Sequence, residues 1–253
     1  MEKAYRTAAH ASPTDLSGLR IAITGGTRGL GLALVRDFVE RGAQVATVAR
    51  DRERLARVTR ELCGLHGIVG DVSEKRSIHR IALQILGELG GLDVLINNAS
   101  SLGPNRLKLL ADTECEELEQ ALATNLLGPF RLTKVLLGAL AASARDQRGG
   151  VVLNISSDAA VNAYPRWGAN GASKSALLHL SRIWNEELAS EAVHVLSIDP
   201  GDMDTPLHAI ALQDADRAAL RRPAQVAREI AETIIRTLPR AINGRTSILR
   251  RLL

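Results

Sequence analysis

Three polar side chains, Ser157, Asn170 and Lys174, have the types and the spacing to form one proton-transfer site. Ser157 follows VVLNIS, a short apolar run that predicts a buried parallel strand. The pattern becomes helical from about Trp167 to about Glu191, and residues four apart on a helix share one face. Because ligands collect at the carboxyl edge of an open α/β sheet, we expect a hydroxyl, an amide and an amine to meet there.

This stretch resembles the short-chain dehydrogenase/reductase family, whose members carry a serine at a strand end and, thirteen residues later, a tyrosine that opens a Tyr-x-x-x-Lys pair. Ser157 and Lys174 match that pattern, and Asn170 stands where the family has tyrosine. In the family the phenol gives a proton to a substrate carbonyl as hydride arrives, and the lysine lowers the pKa of the phenol. An asparagine amide donates a hydrogen bond but supplies no proton. General acid–base help contributes ~10²–10⁴-fold, so we expect ordinary carbonyl reduction to be slowed by at least that order.

The resemblance continues in a glycine-rich turn between the strand candidate LRIAIT and the helical LALVRDFVERG. Its TGxxxGxG spacing lets backbone amides and the helix N-terminus approach a pyrophosphate. The residues of the turn expected to bind the cofactor are Gly25, Thr27, Arg28, Gly29, Leu30 and Gly31.

The second strand candidate, Ala43 to Ala49, ends where dinucleotide folds read the adenosine ribose. NAD binders place a carboxylate there, whereas this chain has Arg50, with Asp51 only after it and Arg28 nearby in the glycine turn. Guanidinium groups form forked, charge-assisted hydrogen bonds with phosphate. We therefore predict NADP(H) rather than NAD(H) as the cofactor.

Further matches to the family follow at successive strand ends. They imply an adenine contact at Asp71 and Val72, a cofactor contact at Asn98, and a helix asparagine, Asn125, that holds a water beside the lysine. In the family a Pro-Gly turn covers the nicotinamide and a threonine follows it; the residues implied here are Pro200, Gly201, Met203 and Thr205. Lys174 is implied as a cofactor contact as well as a catalytic residue.

The 253-residue chain fits one large domain, and the resemblance runs from about Leu19 to about Thr246. Four strand–helix alternations before Val151 and at least two after it predict a single doubly wound Rossmann-like α/β domain, with a parallel sheet of about seven strands and helices on both faces. Residues 1–17 lack apolar periodicity and are predicted to be a flexible leader, with the domain spanning residues 18–253.

Composition argues against several other classes of protein. The sequence has no apolar signal-peptide core and no run near the ~18 apolar residues of a membrane span, so a cytoplasmic protein without membrane contact is expected. The net charge is +4, but aromatic residues make up only 2%, too few for base-stacking platforms, which argues against nucleic acid as a partner. Cys63 and Cys115 lack metal or redox spacing, and Asp202 and Asp204 lack further ligands, so no metal is predicted.

Asn170 leaves three interpretations open. The first is an NADP(H)-dependent oxidoreductase of this family with altered proton delivery, from Tyr164 in the loop YPRWG or from a water held by Lys174. The second is a nucleotide-binding pseudoenzyme, or a non-redox catalyst of dehydration or cyclisation, on the same scaffold. The third is a tyrosine-to-asparagine variant of an active parent, because Ser157 and Asn125 are kept.

The predicted partners are a small carbonyl or alcohol substrate, whose identity the sequence does not select, and further copies of the chain. The substrate pocket is expected to be walled by 100–106, 158–167 and 202–220, with His208 approaching the substrate and 208–220 forming a lid. Apolar stripes on the helices of 114–143 and 167–191 imply a homodimer or homotetramer, since the family uses this helix pair as its interface. Ile183 and Trp184 can instead belong to the internal core.

Overall fold

A computed structural model describes residues 16–212, 214 and 216–238. Six parallel strands form one sheet in the order β3-β2-β1-β4-β5-β6. The strands are β1 Arg20–Thr24, β2 Gln44–Ala49, β3 Leu65–Val69, β4 Val94–Asn97, β5 Val151–Ile155 and β6 His194–Ile198. The prediction of a parallel sheet of about seven strands is thus confirmed in type, with six strands in the described chain.

The strand order reverses between β1 and β4, and each strand joins the next through a crossover. The helices are α1 Gly29–Glu40, α2 Arg52–Glu61, α3 Ile78–Leu89, α4 Cys115–Leu122, α5 Gly128–Arg145, α6 Gly168–Glu187, α7 Pro206–Ala211 and α8 Pro223–Thr237. The helix predicted from about Trp167 begins one residue later and ends at Glu187, where a 3₁₀ turn, Ala189–Glu191, follows it.

Two apolar clusters cover the two faces of the sheet. Ile21 and Ile23 of β1 pack in one cluster with α1 and α8, whereas Ala22 faces the other cluster with α3 and α5. Every residue of β4 and β5 is buried. Strands covered on both faces have near-continuous apolar sequences, which explains why runs such as VVLNI predicted these strands well.

A π-helical turn, Ala123–Leu127, joins α4 and α5 into one helical run, Cys115–Arg145. This run is the one helix in the described part of the chain that is long and apolar enough to cross a membrane. Of its most apolar window, 44% is buried inside the domain, and α5 packs against α3, β4 and β5. The apolar composition is that of a core helix lying on a sheet.

The packed chain begins before the predicted domain boundary. Leu16 is 1% exposed, and its amide donates to the Arg41 carbonyl oxygen at 3.0 Å. Leu16 was predicted to belong to the leader, so the ordered domain includes at least two residues assigned to it. The remainder of the predicted leader, 1–15, and the chain end, 239–253, lie outside the described residues.

Candidate active site

The carboxyl edge of the sheet opens into a cavity of about 410 Å³. Every residue predicted to be catalytic or cofactor-binding borders this cavity, with the exception of Asn125. The glycine turn and the ends of β2 and β3 form one side of it. The end of β5, the first turns of α6, the loop after β6 and α7 form the other side.

Asn170 and Lys174 lie one turn apart on α6 and are 4% and 3% exposed. The Asn170 amide nitrogen donates to the carbonyl oxygen of Ser101 at 3.2 Å. The Lys174 ammonium donates to the carbonyl oxygen of Ile155, at the end of β5, at 2.6 Å. Both side chains are therefore oriented by backbone carbonyl groups from other elements.

Burial lowers the pKa of Lys174 to about 8, because a desolvated ammonium is disfavoured relative to the neutral amine. No ion pair to Lys174 is formed within the described residues, so no carboxylate compensates this loss of hydration. A substantial fraction of the amine is consequently neutral just above pH 8.

Ser157 and Ser156 follow β5 at the cavity wall. The Ser157 hydroxyl caps a 3₁₀ turn, Asp158–Ala160, by accepting from the Ala159 amide at 3.2 Å. Ser156 is 8% exposed, and its hydroxyl has no hydrogen-bond partner in the part of the chain described. A buried polar group without a partner is uncommon and fits a site that a ligand completes. Ser156 is the last residue of the run VVLNIS, and its residue type alone did not indicate a role.

Asn125 lies in the π-helical turn and is fully buried. Its carbonyl oxygen accepts from the Ser101 amide at 2.8 Å, and its amide nitrogen donates to the Ser101 carbonyl oxygen and the Ser173 hydroxyl, both at 2.8 Å. The predicted role of holding a water beside the lysine stays a prediction. The Asn125 side chain fixes Ser101, the same residue whose carbonyl orients Asn170.

Tyr164 does not border the cavity. It is 44% exposed, and its hydroxyl donates to Asp158 at 2.7 Å. This hydrogen bond raises the pKa of Tyr164, which makes it a poorer acid. Residues 158–167 were predicted to wall the substrate pocket, but of these only Trp167 lines the cavity. Tyr164 is thus positioned neither to wall the pocket nor to deliver a proton into it.

The glycine turn brings the start of α1 to the cavity. Arg28 precedes α1 without a side-chain capping hydrogen bond, so the amides of the first helical turn are available to an anion. A Cβ atom on Gly31 would lie 2.2 Å from the Gly25 carbonyl oxygen, which only glycine avoids. The Asn98 side chain donates to the carbonyl oxygens of Thr24 and Gly25, at 2.9 and 3.3 Å, and holds the turn in shape.

Two arginines border the cavity just after β2. Arg50 has a side chain that is 64% exposed and lies 3.5 Å from Asp71. The Asp51 carboxylate accepts from the Arg54 amide at 2.9 Å and caps α2, and this hydrogen bond lowers the pKa of Asp51. Arg54 also borders the cavity and adds a third guanidinium to those of Arg28 and Arg50. Arg54 was not assigned to the site from the sequence, although its position shortly after β2 could have indicated it.

The loop after β6 closes the remaining side of the cavity. Thr205 caps α7 by accepting from the His208 amide at 3.2 Å, and it packs over Gly29 of the glycine turn. His208 borders the cavity as predicted; its Nε2 is buried and lies 3.6 Å from the Asp202 carboxylate. Asp204 pairs with Arg217 at 2.6 Å. Across the described residues, no group of three or more His, Cys, Asp or Glu side chains is arranged to hold a metal ion.

A parallel doubly wound sheet with an uncapped helix N-terminus and a glycine turn at the reversal point defines a Rossmann-type nucleotide-binding domain. The sequence profile of the family described as short chain dehydrogenase matches residues 20–216. The chain therefore belongs to the short chain dehydrogenase family of oxidoreductases.

Individual relatives agree with this assignment. The chain is 34% identical over 197 residues to L-fucose dehydrogenase of Mus musculus, covering 78% of this chain and 70% of that protein. It is 29% identical over 211 residues to 3-oxoacyl-[acyl-carrier-protein] reductase FabG of Thermotoga maritima, covering 82% and 83%. The alcohol dehydrogenase of the archaeon Thermococcus sibiricus, solved in complex with 5-hydroxy-NADP, is similar with a TM-score of 0.74 and 26% identity, covering 84% of this chain and 89% of that one.

Proposed function

We propose that this protein is an NADP(H)-dependent oxidoreductase that interconverts a small carbonyl compound and its alcohol, with ordinary proton transfer impaired because Asn170 replaces the tyrosine of the family. One observation carries the proposal: Asn170 and Lys174 border the same cavity as the uncapped start of α1. Cofactor and substrate sites are therefore continuous, while the residue beside the lysine has no acidic proton.

The cavity residues fit a dinucleotide with a 2′-phosphate. The first turn of α1 offers amides for the pyrophosphate, and three guanidiniums, those of Arg28, Arg50 and Arg54, lie at the side where the adenosine ribose binds in this fold. Asp51, the first carboxylate after β2, is engaged in capping α2. The Thermococcus enzyme crystallised with an NADP derivative supports the same choice. When bound, this cofactor supplies or accepts the hydride.

The protein's own residues then orient the substrate rather than protonate it. The Ser157 hydroxyl borders the cavity and can donate a hydrogen bond to a carbonyl oxygen. The Asn170 amide nitrogen donates one N–H to the Ser101 carbonyl oxygen, and its other N–H is left for a ligand in the cavity. Both groups polarise a carbonyl, and neither replaces the ~10²–10⁴-fold help of a general acid. The relatives, a sugar dehydrogenase and an oxoacyl reductase by name, support a carbonyl or alcohol as substrate.

A second candidate function is a nucleotide-binding protein without redox turnover, or a non-redox catalyst. The observation that favours it is the state of Lys174, whose single hydrogen-bond acceptor in the described chain is the Ile155 backbone carbonyl. A lysine that tunes no phenol has lost its role in the family's proton transfer.

The test measures NADPH and NADH binding by fluorescence, then carbonyl-dependent NADPH oxidation, for the wild type, Asn170→Tyr and the control Asn162→Tyr. We expect tighter binding of NADPH, slow turnover in the wild type, and an increase of ~10²–10⁴-fold in Asn170→Tyr only. Asn162 is exposed and lies outside the cavity wall, so its tyrosine variant should behave as the wild type.

Each result decides between the candidates. Binding without any turnover in the wild type supports the second candidate. Equal turnover in the wild type and Asn170→Tyr contradicts impaired proton transfer at Asn170. A chain that binds neither dinucleotide contradicts both candidates.

We also propose that the protein is a homodimer or homotetramer. Ile183 on α6 is 41% exposed and therefore does not belong to the internal core, the alternative considered from the sequence. Trp184 is partly buried and stacks on Phe130 of α5, with ring centroids 5.3 Å apart. This stacked pair fixes α5 against α6 and leaves Ile183 on the outer surface, where a second copy can cover it.

A further inference from the structure

The amine of Lys174 is a buried nucleophile at the cavity wall, and in the proposed redox reaction it has no phenol whose pKa it could lower. It is 3% exposed, borders the cavity, and donates to one backbone carbonyl, that of Ile155. Burial excludes most water from the ammonium, whose hydrogen bond within the described chain is to this carbonyl. Amines in such surroundings are those that proteins use as covalent nucleophiles toward carbonyl compounds.

We propose that Lys174 forms an imine with small aldehydes and ketones that enter the cavity, an activity separate from hydride transfer. The proposal needs no cofactor, so it stands or falls independently of the redox function proposed above. The cavity is continuous, about 410 Å³ in volume, and large enough to admit such ligands.

The residue one turn earlier leaves the approach to the amine open. Asparagine is shorter than tyrosine, and the Asn170 amide is held against the Ser101 carbonyl oxygen at 3.2 Å. Ser101 is in turn fixed by the Asn125 side chain through two hydrogen bonds of 2.8 Å. The amide is thus kept in a defined orientation, and no phenol stands beside the amine to hydrogen-bond with it.

The charged groups around the amine permit its neutral form. Asp202 and His208 border the cavity on the side of the loop after β6. The other titratable groups along the wall are Arg28, Arg50, Asp51, Arg54 and Asp71, at the ends of β1 to β3 and the start of α2. None of these is ion-paired with Lys174 in the described chain. Desolvation lowers the pKa of Lys174 to about 8, and a raised pKa, which a nearby carboxylate would cause, is not found.

The chemistry is balanced without an oxidant or a reductant. The lone pair of the neutral amine attacks the carbonyl carbon, the C–N bond forms as the C=O π bond breaks, and the oxygen takes up the proton that the nitrogen releases. The carbinolamine then loses water, its hydroxyl leaving with a proton from solvent, and a protonated imine remains. That cation acidifies a neighbouring C–H bond, so an enamine forms reversibly and takes a proton back from solvent. The net activity is exchange of α-hydrogens of the ketone with water.

The experiment incubates the protein, without nucleotide, with acetone and sodium borohydride, which reduces an imine to a stable secondary amine. Peptide mass spectrometry locates the isopropyl group that this reaction leaves on a lysine. Exchange of acetone hydrogens in deuterated buffer, followed by NMR, measures the activity without trapping. Lys174→Met is the test variant, and Lys75→Arg, at an exposed lysine outside the cavity, is the matched control.

We expect the isopropyl group on Lys174, an adduct yield that rises with pH through about 8, and catalysed exchange in the wild type and Lys75→Arg but not in Lys174→Met. Absence of an adduct on Lys174 in the wild type, or adducts confined to exposed lysines, would overturn the proposal. Peptide mapping of the wild type decides this even where Lys174→Met fails to fold. Binding of NADPH, measured separately, decides the redox proposal.

Discussion

At the scale of single residues, the site contains a lysine whose burial is not offset by a counter-ion. Lys174 has a pKa lowered from 10.5 to about 8 through desolvation alone. A shift of one pKa unit corresponds to ~1.4 kcal/mol of free energy between the two protonation states. The ammonium form therefore weakens the folded state.

The free energy of unfolding of Lys174→Met should exceed that of the wild type at pH 7 by up to about 3 kcal/mol, less the loss of the hydrogen bond to Ile155. Because folding lowers the pKa of Lys174, the unfolded state binds more protons than the folded state between about pH 8 and pH 10.5. The cost of the ammonium is thus complete below pH 8 and disappears as pH rises toward 10.5. Urea unfolding at pH 7 and pH 10.5 checks this; a difference between variant and wild type that does not depend on pH would contradict it.

The second residue-scale prediction concerns cofactor choice. Arg50→Glu should weaken NADPH binding by ~10–100-fold, since a charge-assisted hydrogen bond contributes about 1.5–3 kcal/mol, and it should change NADH binding far less. Fluorescence titration of both nucleotides gives the two affinities. Arg52→Glu is the matched control, because Arg52 carries the same charge two residues away and does not border the cavity. An equal loss of NADPH affinity in both variants would contradict a specific contact of Arg50 and would indicate only a general effect of charge.

At the scale of elements, one residue, Asp93, connects four of them at the opposite edge of the sheet. Asp93 immediately precedes β4 and is fully buried. It accepts from the Arg20 guanidinium of β1 at 2.6 Å and from the Ser143 hydroxyl of α5 at 2.6 Å. Its backbone carbonyl oxygen accepts from the amides of Gly150 and Val151, at 2.8 and 3.1 Å, as β5 begins. Burial raises the pKa of Asp93, but the hydrogen bonds from Arg20 and Ser143 together outweigh it, so the net pKa is lowered.

Asp93→Ala should lower the free energy of unfolding by ~3–5 kcal/mol, because it leaves the Arg20 guanidinium without its buried partner. Asp112→Ala, at an exposed position, should change it by no more than ~0.5 kcal/mol. Urea denaturation followed by circular dichroism measures both. A small change in the free energy of unfolding of Asp93→Ala would show that solvent replaces the carboxylate and that this edge of the sheet does not depend on Asp93.

At the scale of the whole molecule, the proposed oligomer depends on the outer face of α6. Ile183→Glu should shift the protein toward monomer, because an unpaired carboxylate is costly to bury in an apolar interface. Light scattering after size-exclusion chromatography measures the mass. Leu83→Glu, on the exposed face of α3 and 72% exposed, is the control that changes an apolar side chain outside α5 and α6. A wild type that is monomeric at all concentrations would overturn the proposed oligomer.

Prediction from sequence succeeded where local pattern is sufficient. Strand boundaries such as those of β1 and β5 came within a residue or two, because runs such as RIAIT and VVLNI are predominantly apolar and end at turn residues. The glycine turn was located because it stands between a strand and a helix. Arg54 and Ser156 were not assigned to the site, because neither residue type is distinctive until the cavity wall is known.

The sequence by itself determined the family, the parallel sheet and most of the polar side chains that border the cavity, since motif spacing and apolar runs are local patterns. The tertiary structure decided how those side chains are engaged. Asn125 and Asn170 both bind Ser101, which lies 24 and 69 residues away in the chain, and Tyr164 points to Asp158 instead of the cavity. Such partners are set by packing between distant elements, and the burial that lowers the pKa of Lys174 comes from the same packing.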